Sequence, residues 1–102
     1  MLTLIDKHRT EVERLCRRYH VARLELFGSA ATGQFNPATS DLDFLVEFPP
    51  LSSTQKADAY FGLLHGLEDL FQRKVDLVSS DVRPNRYFAE TIAPQRTVLY
   101  AA

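Results

Sequence analysis

Cysteine is almost missing from this 102-residue chain: Cys16 stands alone. That excludes an internal disulfide and any thiolate cluster around a metal, and a lone thiol suits a reducing, cytoplasmic setting. Long apolar runs are missing as well. The opening stretch MLTLIDKHRTEVERLC is charged throughout, so it reads as neither a signal peptide nor a membrane span. There is no excess of one charge: 12 Lys and Arg face 13 Asp and Glu, a formal net charge of −1. Such a balance argues against a strongly basic nucleic-acid surface. Glycine and proline are sparse, at 4 and 5 residues, and the chain has no repeats, linkers or low-complexity tracts. What is there, 45% hydrophobic and 25% charged residues, predicts one ordinary globular domain over residues 1–102.

The apolar pattern divides that domain into elements. Ile5, His8, Val12, Leu15, Cys16 and Tyr19 recur at spacings of three and four, with charge filling the gaps, which predicts one amphipathic helix. Its Arg14, Arg17 and Arg18 form either a solvated face or a partner contact. VARLELF alternates and reads as a strand. Gly28-Ser29 interrupts it, SAATG could form a helical turn, and Asn36-Pro37 marks a loop. In DLDFLVEF, Leu42, Phe44, Val46 and Phe48 share one face, and Asp41, Asp43, Leu45 and Glu47 the other. Ser52 and Gln55 match a capping box opening a helix with Ala57, Tyr60, Phe61, Leu64, Leu67 and Phe71 as its apolar positions. KVDLVS predicts a strand, residues 85–93 a third helix, and TVLY a last strand. Strands alternating with helices predict an α/β (α+β) fold: a mixed four-stranded sheet covered by about three helices.

Two fragments carry chemistry. Residues i and i+2 of a strand project to one side, so Asp41 and Asp43 stand about 6–7 Å apart along the chain. They repel unless a cation lies between them, and hard divalent ions prefer such oxygen donors. Asp76 lies opposite Val75 and Leu77 by the same alternation. If its strand adjoins that of Asp43, the three acids form one cluster. The plainer alternative makes Asp41 a strand-end cap, Asp43 an edge residue and Asp76 a partner of Arg73 or Lys74. Gly28-Ser29 offers a close backbone approach, amide donors and a hydroxyl, which together suit a phosphate. A phosphate cradle followed by paired carboxylates fits a nucleoside triphosphate with Mg²⁺. His8, His20 and His65 lie on separate stretches without zinc-site spacing. The aromatics at Tyr60, Phe61, Phe71, Tyr87 and Phe88 read as core.

LFGSAATG…SDLDFLVEF, with VDLV and a terminal VLY, resembles the minimal nucleotidyltransferases of the DNA polymerase β-like superfamily over nearly the whole chain. The resemblance implies the nucleotidyltransferase fold. It assigns Gly28 and Ser29 to the triphosphate, Asp41 and Asp43 to a two-metal Mg²⁺ site, and Asp76 to a third ligand or general base. It further implies transfer of AMP from ATP to a hydroxyl, with a tyrosine of a HEPN-domain toxin as acceptor, so that the chain acts as an antitoxin. Many members carry arginines where this chain has Ala30 and Thr32. That departure supports the alternative of a weakly active or inactive module that neutralises its partner by contact. Direct action on nucleic acid is not expected, given the near-neutral charge.

Overall fold

The N-terminal amphipathic segment folds as two helices, not the single one predicted: α1 spans Thr3–Lys7 and α2 spans Arg9–Arg18. The break falls at His8, whose φ of −109° and ψ of 16° leave the helical range. Its N–H turns back to the Ile5 carbonyl at 3.1 Å, a tighter i to i−3 closure. The His8 ring stands edge-on to Phe71 at 5.5 Å, so packing holds the break in place. α2 buries Val12 and Cys16 and leaves Glu11, Arg14, Arg17 and Arg18 exposed.

The computed structural model describes residues 3–27, 42–80 and 97–102. Within them the strands are β1 (Arg23–Phe27), β2 (Leu42–Glu47), β3 (Val75–Ser79) and β4 (Thr97–Ala101), and α3 spans Ser53–Phe71. The sheet order is β3-β2-β1-β4. β1 runs antiparallel to both β2 and β4, and β2 runs parallel to β3. The sheet is thus mixed, as the alternation of elements predicts, and α3 supplies the crossover that a parallel pair requires. The turn proposed over SAATG and the helix predicted over residues 85–93 lie outside the described residues.

One face of the sheet and the helices covering it make the core. Leu24, Leu26, Leu42, Phe44 and Val46 are fully buried, and α3 sets Leu63, Leu67 and Phe71 against them. Phe44 and Phe71 stack with ring centroids 6.2 Å apart. Truncating a core phenylalanine to alanine costs about 3–5 kcal/mol, so this contact ties the C-terminal turn of α3 to the middle of β2.

The buried stripe of α3 keeps the predicted Leu67 and Phe71, with Tyr60 and Leu64 packed at its margin, and departs from the prediction at two positions. Ala57 and Phe61 face solvent, Phe61 at 55% exposure, and Ala59 and Leu63 take the inward places. The reason is the flank facing α2, which carries glycines instead of apolar side chains. A Cβ on Gly62 would lie 2.2 Å from Tyr19 Cε1, and one on Gly66 would lie 2.7 Å from Leu15 Cδ2. The glycines let α2 and α3 approach closely, at a cost in helix propensity. The capping box holds as read: Ser52 Oγ accepts from the Gln55 N–H at 3.1 Å, and the Ser52 N–H donates to Gln55 Oε1 at 3.0 Å.

Candidate active site

The carboxylates are brought together by strand register. In the parallel β2–β3 pair, Asp43 is the register partner of Asp76, between Leu42–Val75 and Phe44–Leu77. Leu42, Phe44, Val75 and Leu77 are buried in the core, so pleating turns both aspartates to the opposite face. Asp43 is half-buried and Asp76 exposed. Neighbouring strands lie about 4.7–4.9 Å apart, so the two carboxylates cannot escape each other's field. On the other side of Asp43, the antiparallel register places Phe27. A row Phe27–Asp43–Asp76 therefore crosses three strands, and Gly28-Ser29 continues the chain directly from Phe27. Gly28, Ser29 and Asp41 themselves, with Ala30 and Thr32, lie outside the described residues.

The donor set fits a hard divalent cation: two oxygen-only side chains in register on adjacent strands, with a third carboxylate next but one in sequence to Asp43. Among the described residues alone, no group of three His, Cys, Asp or Glu gathers as a metal cage. The third member expected from the sequence is Asp41. The histidines stay apart, and His65 lies 3.6 Å from Glu68 on the exposed side of α3.

Beside Asp76, between β3 and the first half of α3, runs an open groove of about 650 Å³. It is lined by Ser53, Lys56, Ala57, Tyr60, Asp76, Leu77, Val78 and Ser79. Tyr60 O–H donates to the Leu77 carbonyl at 2.5 Å. Burial raises its pKa above the ordinary phenol value, and the negative charge of Asp76 raises it further, so the phenol stays neutral. Tyr60 packs against the core, as the periodicity expects, and also lines the groove, which periodicity does not show.

A second feature absent from the sequence reading lies at the far end of the sheet. Glu25 is 3% exposed and accepts from Arg23 Nε at 2.6 Å. With Leu45, Glu47 and Ser80 these residues line a smaller hollow of about 290 Å³. Alternation in VARLELF puts Glu25 with Arg23 on the face opposite Leu24 and Leu26. Its burial depends on packing across the sheet, which alternation does not encode.

Comparison with known proteins agrees with the observed fold. Among solved structures, one assigned as a minimal nucleotidyltransferase is 28% identical, with a TM-score of 0.69, over 94% of this chain and 95% of that one. A toxin–antitoxin structure with AMP-PNP superposes at a TM-score of 0.68 and 22% identity, over 92% of this chain and 73% of that one. A variant of the MntA–HpeT toxin–antitoxin matches at a TM-score of 0.67 and 20% identity, over 92% and 73% of the two chains. These last two likenesses establish the fold. No curated protein sequence matches, and among the described residues no helix is long and apolar enough to cross a membrane. The nucleotidyltransferase domain model matches residues 5–98, from α1 to β4, and the chain belongs to that family.

Proposed function

We propose that residues 1–102 form one catalytic domain that moves AMP from ATP to a hydroxyl on a partner protein. A tyrosine of a HEPN-domain toxin is the acceptor the family resemblance favours, which makes the chain a cytoplasmic antitoxin. The observation that carries this reading is the register pairing of Asp43 with Asp76, beside the chain segment that leads into Gly28-Ser29. Two further facts support it. One related structure contains AMP-PNP, and another carries Asp-to-Glu changes at two aspartates two positions apart, the spacing of Asp41 and Asp43.

In this reading Gly28 and Ser29 bind the triphosphate through backbone N–H groups and the Ser29 hydroxyl. Asp41 and Asp43 hold Mg²⁺ in a two-metal site, with Asp76 as third ligand or as base. When bound, the ions polarise the phosphates and offset the charge that builds during transfer. The acceptor oxygen bonds to the α-phosphorus, and the bond from that phosphorus to the bridging oxygen breaks. Pyrophosphate leaves with the electron pair. The acceptor's proton passes to a carboxylate, and Asp76 is the one bordering the groove through which an acceptor could enter.

Ala30 and Thr32 favour a second reading, in which the chain neutralises its partner by contact alone. The arginines common at those places would stabilise phosphate charge, and this chain lacks them. Incubation with α-labelled ATP, Mg²⁺ and the co-purifying partner separates the two. The transferase reading expects label on the partner, lost in Asp41→Asn and Asp43→Asn. No label, with neutralisation intact in both variants, supports the contact reading.

A further inference from the structure

We propose that Tyr60 and Glu68 of α3 are positioning residues for Asp76: they clamp edge strand β3 on both sides of it and so hold its carboxylate opposite Asp43. This inference rests on the nucleotidyl-transfer reading and names what keeps that reading's carboxylate in place. Backbone groups of successive strand residues point alternately to the two edges of the strand. The Lys74 carbonyl accepts from the Leu42 N–H at 3.4 Å, and the Ser80 N–H donates to the Val46 carbonyl at 2.9 Å. Even-numbered positions, Asp76 among them, therefore bond toward β2, and Val75 and Leu77 turn their backbone groups to the outer edge. β3 ends the sheet, so among the described residues no further strand meets those groups. α3 meets them instead. Glu68 Oε2 accepts from the Val75 N–H at 3.4 Å, and Tyr60 O–H donates to the Leu77 carbonyl at 2.5 Å.

The two contacts fall on the residues immediately before and after Asp76, and what they secure is the register. Asp43 faces Asp76 only while Leu42 faces Val75 and Phe44 faces Leu77. A slip of one residue would turn Asp76 to the core face and bring an apolar neighbour beside Asp43. β3 has reason to move: the sheet holds it on one side only, and the like charges of Asp43 and Asp76 push it outward. Both clamping side chains suit the task. Tyr60 is half-buried with its ring packed against the core, so its hydroxyl is carried on a fixed arm. Glu68 is half-buried too, with one oxygen on Val75 and the other 3.6 Å from His65 Nδ1. Protection of a sheet edge alone needs no particular placement. Here the clamp is centred on the one charged residue of β3, which ties it to the site.

The test uses the isotopically labelled full chain and the variants Tyr60→Phe, Glu68→Ala and Glu68→Gln. Tyr60→Phe keeps the ring in the core and removes only the hydroxyl; Glu68→Gln keeps an oxygen for the Val75 N–H. Two readouts need no reaction. Amide exchange at Asp76 and Val78, whose N–H groups bond toward β2, is expected to quicken by about fivefold in Tyr60→Phe and Glu68→Ala, the factor for loss of one hydrogen bond. Amides of β1 and α2 should keep their parent rates. Mg²⁺ affinity, followed through the carboxyl carbon resonances of Asp43 and Asp76, should fall by a similar factor in both variants and recover in Glu68→Gln. In AMP transfer, kcat should fall with them while the KM for ATP holds. Mg²⁺ binding that is absent from the unmodified chain, or equal in all the variants, would overturn the proposal. So would exchange at parent rates in β3, or exchange quickened equally throughout the fold, which marks a purely structural role. Quickened β3 exchange and weakened Mg²⁺ binding, with no label from α-labelled ATP ever reaching the partner, would uphold the clamp and refute the transfer reaction instead.

Discussion

Asp43 and Asp76 are register partners across the parallel β2–β3 pair, two acids side by side where a neutral pair would be easier to hold. Like charges directly opposite on neighbouring strands destabilise a sheet, by about 0.2–1 kcal/mol. Asp76→Asn is therefore expected to raise the thermal midpoint by about 1–8 °C, using the usual conversion for a domain of this size. Saturating Mg²⁺ should stabilise the unmodified protein and do so less for the variant, because a ligand bound to the native state adds stability by mass action. Thermal melts of both proteins, with and without Mg²⁺, check the two signs together. A variant less stable than its parent would mean that Asp76 serves the fold rather than the site.

The close approach of α2 and α3 gives a second expectation. Gly62→Ala gains helix propensity of about 1 kcal/mol but drives its methyl into the Tyr19 ring. Overpacking of that kind costs about 1–3 kcal/mol, so the net change is loss of stability. In a Tyr19→Ala background the same substitution should become neutral or stabilising. Urea unfolding of the four proteins in this double-mutant cycle measures the coupling directly.

Those glycines also show why the sequence pattern places two exposed positions of α3, Ala57 and Phe61, on its buried face. Periodicity counts apolar residues, and a helix flank packed through glycine contributes none, so the predicted stripe shifted toward Ala57 and Phe61. The break at His8 was equally hidden, since apolar spacing of three and four runs straight through it. Strands, by contrast, were legible: alternation in DLDFLVEF reports burial on one face, and Leu42, Phe44 and Val46 are buried as expected. The site was legible only in part. Alternation told which way Asp43 and Asp76 point, but their adjacency depends on a crossover joining strands far apart in sequence, which local pattern does not specify. The groove beside Asp76 was invisible for the same reason.

The capping box offers a simple check on local structure. Ser52→Ala removes the acceptor of the Gln55 N–H, and loss of such a cap costs about 1 kcal/mol. The thermal midpoint should fall by about 4–8 °C. A midpoint unchanged by the substitution would show that tertiary packing alone fixes the start of α3.

Cys16 makes stability depend on pH in the alkaline range. Burial, reinforced by Glu13 and opposed by Arg17, pushes its thiol from an ordinary 9.0 up to about 12. A folded-state pKa raised above the unfolded value gives stability that is present below pH 9.0 and lost as pH climbs toward 12. Tyr60, raised from its ordinary 10.0, adds a loss of the same sign at the upper end. Denaturant midpoints measured across this range should fall, and Cys16→Val should flatten the first part of the decline. The native thiol should resist alkylation until the chain unfolds.

The central claim is that this chain transfers a nucleotide rather than merely binding a partner. Its most direct test is the yield of pyrophosphate from ATP in the presence of the co-purifying partner and Mg²⁺, measured against AMP covalently attached to that partner. The account predicts that the two appear in equal amounts and that Asp43→Asn lowers both by about a hundredfold or more, as expected when a group that stabilises transition-state charge is lost. Neutralisation of the partner with neither product formed, and undiminished in Asp43→Asn, would contradict it.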